Sequence, residues 1–134
     1  MLYDHKKYQL NSLRLGMITN NRLYGKISVF FNCASQCAQI DKIKKYNSLY
    51  ETGLYNLIAL PYNINNDEPG DNYDTYQYFE NVLGVRFPVC EKLYDDHVFF
   101  RDFSLPTENF TNYIFDKKLK FIIKIKDLDA LMYV

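Results

Sequence analysis

A chain of 134 residues and 16.0 kDa has room for one hydrophobic core, which excludes a pair of catalytic domains. Its 48% hydrophobic and 24% charged residues, with only 5 Gly and 4 Pro, exclude intrinsic disorder, because enough apolar surface is present to offset the entropy of ordering the backbone. Lys plus Arg equals Asp plus Glu at 16 each, so no net field gathers nucleic acid or anionic lipid, and small molecules or proteins are left as partners.

The first residues turn polar at once and no run approaches the roughly 20 apolar residues of a membrane span, so a cytoplasmic protein without a span is expected. Residues 26–32, Lys-Ile-Ser-Val-Phe-Phe-Asn, read as a largely buried strand. Residues 38–51 then place Ile40, Ile43, Tyr46, Leu49 and Tyr50 at the spacing of one helix face, with Gly53 free to end the helix. Residues 54–61 read as a second buried strand stopped by Pro61, which completes a parallel, right-handed β-α-β unit. A polar loop over 63–71 leads to a helix capped by Asp71 or Asn72, running through Asn81 and closed by Gly84. Phe87-Pro88-Val89 reads as a short extended piece. Residues 113–115 and 120–125 form a hairpin about Asp116-Lys117-Lys118, and residues 127–134 begin a last short helix. These elements predict one α/β domain over residues 1–134. The 13 Tyr and 10 Phe sit beside acidic rather than basic residues, unlike a stacking platform for nucleic acid.

Three cysteines, Cys33, Cys37 and Cys90, suit free thiols in a reducing compartment better than a disulfide framework. Cys37 follows the first buried strand and opens the helix after it, where unpaired N–H groups and the helix dipole favour a thiolate able to attack a peroxide O–O bond. The same position also suits a small buried hydrophobe, and both readings stand at this point. Cys33 and Cys90 read as core residues, and the spacing Cys33-x-x-x-Cys37 departs from the C-x-x-C redox pattern. His5 and His97 lie far apart with no Cys or His at ligand spacing, so neither a metal nor another cofactor is expected. Asp95-Asp96-His97 reads as a polar turn, and Asp67, Glu68 and Asp71 read as turn and capping residues.

Several segments are familiar in combination. Asn32-Cys33-Ala34-Ser35-Gln36-Cys37 resembles the glutathione peroxidase motif Asn-Val-Ala-Ser-x-Cys/Sec-Gly, and Leu49-Tyr50-Glu51 stands in register with that family's Leu-Tyr-Glu. Leu60-Pro61-Tyr62-Asn63-Ile64, followed by Glu68-Pro69-Gly70, is similar to Phe-Pro-Cys-Asn-Gln followed by Glu-Pro-Gly. Phe87-Pro88-Val89-Cys90-Glu91-Lys92 resembles Phe-Pro-x-Phe-x-Lys, and Glu108-Asn109-Phe110-Thr111 resembles Trp-Asn-Phe-Thr. The matches fall in one order from about Tyr3 to Ile125.

The resemblance implies a thioredoxin-like fold, a central mixed β-sheet flanked by helices. It also implies a peroxidase that protects against oxidative stress, reducing hydrogen peroxide or organic hydroperoxides at the expense of a small thiol such as glutathione, or of thioredoxin. Carried over by residue, Cys37 matches the peroxidatic nucleophile and Asn109 its Asn partner. The Gln and Trp of the family are replaced by Ile64 and Glu108, which removes two hydrogen-bond donors toward the sulfur. Such bonds to a charged group contribute about 1.5 to 3 kcal/mol each, more than the roughly 0.3 to 1 kcal/mol of a helix terminus. Burying Cys37 and Glu108 together as anions is unfavourable. A raised thiol pKa, a protonated Glu108 or a carboxylate turned to solvent is therefore expected, with a role for Glu108 as the thiol's base as the alternative. Ala38 replaces a Gly after the nucleophile, and Glu80 falls where some members carry a second, recycling cysteine. An external reductant is expected, with Arg86, Lys92 and Arg101 as candidate cations for it. Only 15 residues separate Lys92 from Glu108, where the family carries a longer insertion, which points to a monomer. The rival reading is a catalytically silent relative that keeps the fold as a binding or scaffold module.

Overall fold

The structure is a computed structural model that describes residues 1–34, 40–63 and 71–133. Its N-terminal part is built from short pieces: α1 (His5–Tyr8), the hairpin of β1 (Asn11–Ser12) and β2 (Gly16–Met17), and α2 (Asn20–Leu23). The β-α-β unit expected from periodicity follows as β3 (Ile27–Cys33), α3 (Ile40–Glu51) and β4 (Tyr55–Pro61). Every residue of β3 after Ile27 is buried, the mark of a central strand covered on both faces. Gly53 ends α3 with φ 75°, a left-handed conformation that costs glycine little, and its N–H donates to the Tyr50 carbonyl.

Asp71 caps α4 (Asn72–Tyr76) through a reciprocal capping box with Asp74, and the helix then widens into a π-helical turn (Gln77–Val82). The periodicity predicts one continuous helix here. The five-residue repeat shows in the Leu83 N–H, which donates to the Tyr78 carbonyl at 3.0 Å. Next come α5 (Val98–Phe103), β5 (Asn112–Phe115), β6 (Phe121–Ile125) and a 3-10 turn (Leu128–Tyr133) in place of the last short helix expected. Asp95-Asp96-His97 is more than a turn, since the His97 ring caps α5 by accepting the Phe99 N–H at 3.0 Å.

The main sheet has the order β4-β3-β5-β6, with β3 and β4 parallel and the other pairs antiparallel. The segment 88–93 lies along the outer edge of β4, and β1 pairs with that segment through Leu13 and Glu91. One face of the sheet packs Phe30, Ile58, Leu60, Tyr113 and Phe115 against α1 and α5, with Phe99 and Phe103 filling the layer. The opposite face packs Val29, Phe31, Leu57 and Ile114 against Ile43 and Tyr46 of α3 and Phe79 of the π-helical turn. Among the described residues no helix is long and apolar enough to cross a membrane.

Candidate functional site

Register brings three loops to one edge of the sheet. Cys33 stands opposite Pro61 in the parallel pair, so the chain leaves β3 and β4 side by side, and the Tyr62 N–H donates to the Cys33 carbonyl at 3.1 Å. β5 runs the other way with Asn112 opposite Phe31, so residues 108–111 enter the sheet at that same edge. The carboxyl ends of parallel strands are where α/β sheets bind ligands.

Asn32 holds this edge together. It is fully buried, and asparagine in an otherwise apolar strand is costly unless its amide is paired. The Nδ2 donates to the Glu108 carbonyl at 2.9 Å, and Oδ1 accepts the Thr111 N–H at 2.8 Å. The Asn32 carbonyl accepts the Phe110 N–H at 2.9 Å, and Thr111 Oγ1 donates to the Glu108 carbonyl at 2.9 Å. These bonds draw residues 108–111 into a turn in which Phe110 has φ 64°, a conformation rare for a residue with a side chain. Its ring stacks on Tyr46 at 5.7 Å, and Tyr46 stacks on Phe31 at 3.8 Å while its hydroxyl donates to Asn112 Oδ1. Burial raises the Tyr46 pKa well above the usual phenol range, so the hydroxyl stays a neutral donor.

A cleft of about 350 Å³ opens beside this turn, lined by Glu108, Asn109, Lys42, Lys45, Lys126 and Tyr46 among others. Asn109 is half-buried there. The Glu108 side chain is 52% exposed and pairs with Lys126 at 3.5 Å, so of the three alternatives expected for Cys37 and Glu108 the structure has the carboxylate turned to solvent. Lys42 lies 5.6 Å above the Phe110 ring, and Lys45 pairs with Asp129 at 2.6 Å, which raises its pKa. The cations at the cleft are therefore two lysines of α3 and Lys126, which directly follows β6. Arg86, Lys92 and Arg101 do not line it. Lys92 instead borders a second depression with Tyr62 and Asp95. There the Tyr62 hydroxyl donates to Asp95, and burial together with that bond pushes its pKa up to about 12.

Cys37, Ala38 and Ile64 lie outside the described residues. Cys33 and Cys90 are buried completely, and burial pushes the Cys90 thiol far above its usual value. Glu80, where a recycling cysteine was considered, pairs with Arg14 at 3.5 Å. The sequence reading missed the tying role of Asn32 and the lysines of the cleft. The polar residue inside an apolar strand was the signal for the first, whereas lysines on a solvated helix face carry none.

This architecture is a thioredoxin-like α/β fold. A thioredoxin-like protein from Aeropyrum pernix superposes with a TM-score of 0.68 at 16% identity over 92% of this chain and 84% of that one. A thiol-disulfide isomerase from Corynebacterium glutamicum superposes with a TM-score of 0.75 at 14% identity over 99% and 92%. No protein-family model matches the chain. In sequence it is 34% identical over 74 residues to the glutathione peroxidase homolog BsaA of Bacillus subtilis, a match covering 52% of this chain and 46% of that protein. The chain thus spans about half the length of the curated relatives it matches.

Proposed function

We propose that this chain is a thiol-dependent peroxidase in which Cys37 is the nucleophile and Asn109 its polar partner. The observation that supports the reading best is the Asn32-tied turn, which presents Asn109 at the sheet edge where β3 runs out toward the segment carrying Cys37. Similarity to glutathione peroxidase homologs over half the chain supports the same chemistry.

The thiolate attacks one oxygen of the hydroperoxide. An S–O bond forms, the O–O bond breaks, and the leaving alkoxide takes a proton to depart as alcohol or water. The resulting sulfenic acid is attacked by an external thiol, which releases water and leaves a mixed disulfide. A second thiol then displaces Cys37 and carries away the disulfide. Glutathione or thioredoxin fits the role of reductant, because Cys33 and Cys90 are both sealed in the core and are poor internal partners.

One observation favours the rival reading of a binding module. Glu108 faces Lys126, so the position that matches the family's Trp supplies no donor to a sulfur. Trapping of sulfenic acid with a dimedone probe at micromolar peroxide separates the two. Labelling that is lost in Cys37→Ser supports the peroxidase, and reactivity equal to that of free cysteine supports the binding module.

A further inference from the structure

The two edges of the main sheet are finished differently and carry opposite charge. Beyond β4 the segment 88–93 adds to the sheet and β1 closes it in turn, the Leu13 N–H donating to the Val89 carbonyl and the Glu91 N–H to the Asn11 carbonyl, both at 2.8 Å. The chain there, residues 91–96, holds Glu91, Asp95 and Asp96 against Lys92. The other edge is β6, the last strand in the order. Residues 1–3 lie antiparallel beside its start, the Tyr3 N–H donating to the Leu119 carbonyl and the Phe121 N–H to the Met1 carbonyl, both at 2.8 Å. Past Phe121 the register against β5 shifts, with Ile122 as the extra residue of a β-bulge. Thr111 bonds to β3 through Asn32, so its neighbour Asn112 and the paired Ile125 face each other, and Lys124 turns its main chain outward. Among the described residues neither main-chain group of Lys124 has a partner on that side, and Ile122 and Ile123 beside it are each 45% exposed.

Residues 116–127 carry five lysines and two aspartates. The aspartates are occupied by main-chain donors, Asp116 accepting from the Lys118 and Lys120 N–H groups and Asp127 from that of Asp129. Lys124 reaches back to Ser104 Oγ at 2.6 Å and Lys126 pairs with Glu108, whereas Lys117, Lys118 and Lys120 are exposed and form no ion pair among the described residues. Lysines and a bulge on an edge strand keep copies of that strand apart. A second β6 brings like charge to this edge, and the acidic edge of a second copy is already closed by its own β1. An acidic strand from another polypeptide meets neither obstacle.

We propose that the outer edge of β6 is a docking edge for an extended acidic segment of another polypeptide, which adds to the sheet as a further strand. Its main chain accepts from the Lys124 N–H and donates to the Lys124 carbonyl, as in other cases of strand addition. Its β-branched side chains cover Ile122 and Ile123, and a carboxylate near each end meets Lys120 or Lys126. Opposite charge at the two edges of a chain with no net charge steers such a segment to this edge and away from the other. The surface shares Lys126 with the Asn109 cleft but does not depend on the redox reading.

The test is a titration of the ¹⁵N-labelled full chain with acetyl-Glu-Val-Thr-Val-Glu-amide, followed at the main-chain amides of residues 122–126. Saturable shifts centred on Lys124 are expected, together with slower exchange of its amide proton. Affinity should fall about tenfold in Lys120→Glu or when Lys replaces both Glu residues of the peptide, and about threefold between roughly 0.05 and 0.5 M salt. N-methylation along the peptide should abolish binding, since the added strand then loses its main-chain donors. Four results overturn the proposal: no Lys124 shift at about 10 mM peptide, equal shifts from the N-methylated peptide, equal affinity for the Lys-ended peptide, or shifts that follow protein concentration without peptide, as docking of a second copy requires.

Discussion

The two faces of the central sheet use aromatic residues in opposite ways. On the face covered by α1 and α5, rings meet chiefly other rings: Phe99 touches Tyr8, Phe30, Phe103, Tyr113 and Phe115 with centroids 4.9 to 6.4 Å apart. Its four phenols are tied off within the fold, Tyr3 on the Ile18 carbonyl at 2.6 Å and Tyr113 on the Ser104 carbonyl at 2.8 Å, Tyr8 on Asp102 at 2.7 Å and Tyr62 on Asp95. On the face covered by α3, the stack Phe31, Tyr46, Phe110 runs outward until it borders the cleft beside Asn109. One face is a closed core. The other turns its packing into a support for polar residues at the sheet edge, so damage to the first should cost stability and damage to the second should cost local order.

Phe99→Ala strikes the closed face and should lose the most, about 3 to 5 kcal/mol in urea unfolding, because a buried ring with partners on several sides leaves a cavity. Asn32→Ala leaves the Glu108 carbonyl and the Thr111 N–H without their partner in a buried setting and should cost about 2 to 4 kcal/mol. Its signature is uneven, with amide exchange of residues 108–111 accelerating before that of β3 itself. A global loss with no such local excess would remove Asn32 from the role of positioning Asn109.

His97 gives the comparison a pH axis, since it belongs to the cap of α5 on the closed face. Burial lowers its pKa below the ordinary 6.5, in line with a ring nitrogen that accepts the Phe99 N–H. The unfolded chain therefore takes up this proton first. Stability should fall as the pH drops from about 6.5 toward the lower folded value, and level off beneath it. His97→Asn keeps an acceptor at the cap and should flatten the slope in that window. Smallest of all is Glu108→Gln: with its carboxylate out on Lys126, the pH profile of Cys37 alkylation should superimpose on that of the wild type. A shifted profile would bring back Glu108 as either a repelling charge or a base.

The β-α-β unit and the terminal hairpin were legible because their apolar periodicity is long enough to distinguish strand from helix. The pieces α1, α2 and α5 span four to six residues, and the hairpin strands β1 and β2 two each, which is too short for a period to register. The π-helical turn buries only Phe79 of its six residues, too few for apolar spacing to mark the wider turn, so the commoner form is what the sequence predicts. At the site, motif order pointed to Asn109 and Glu108. The direction of the Glu108 carboxylate depended on a lysine eighteen positions along the chain, Lys126, which no local pattern connects to it. The tie made by Asn32 was written in the chain as a single polar residue among Val29, Phe30 and Phe31, a discord that only a buried partner resolves.

The depth at which Cys33 and Cys90 sit makes the folded protein its own control in sulfur chemistry. An alkylating reagent reaches either residue only after the sheet opens, so any adduct that forms before that opening is on Cys37 and counts that thiol by mass alone. Two further adducts arriving slowly then clock the opening of the sheet, and a single time course in the wild-type protein yields both quantities without removing a cysteine.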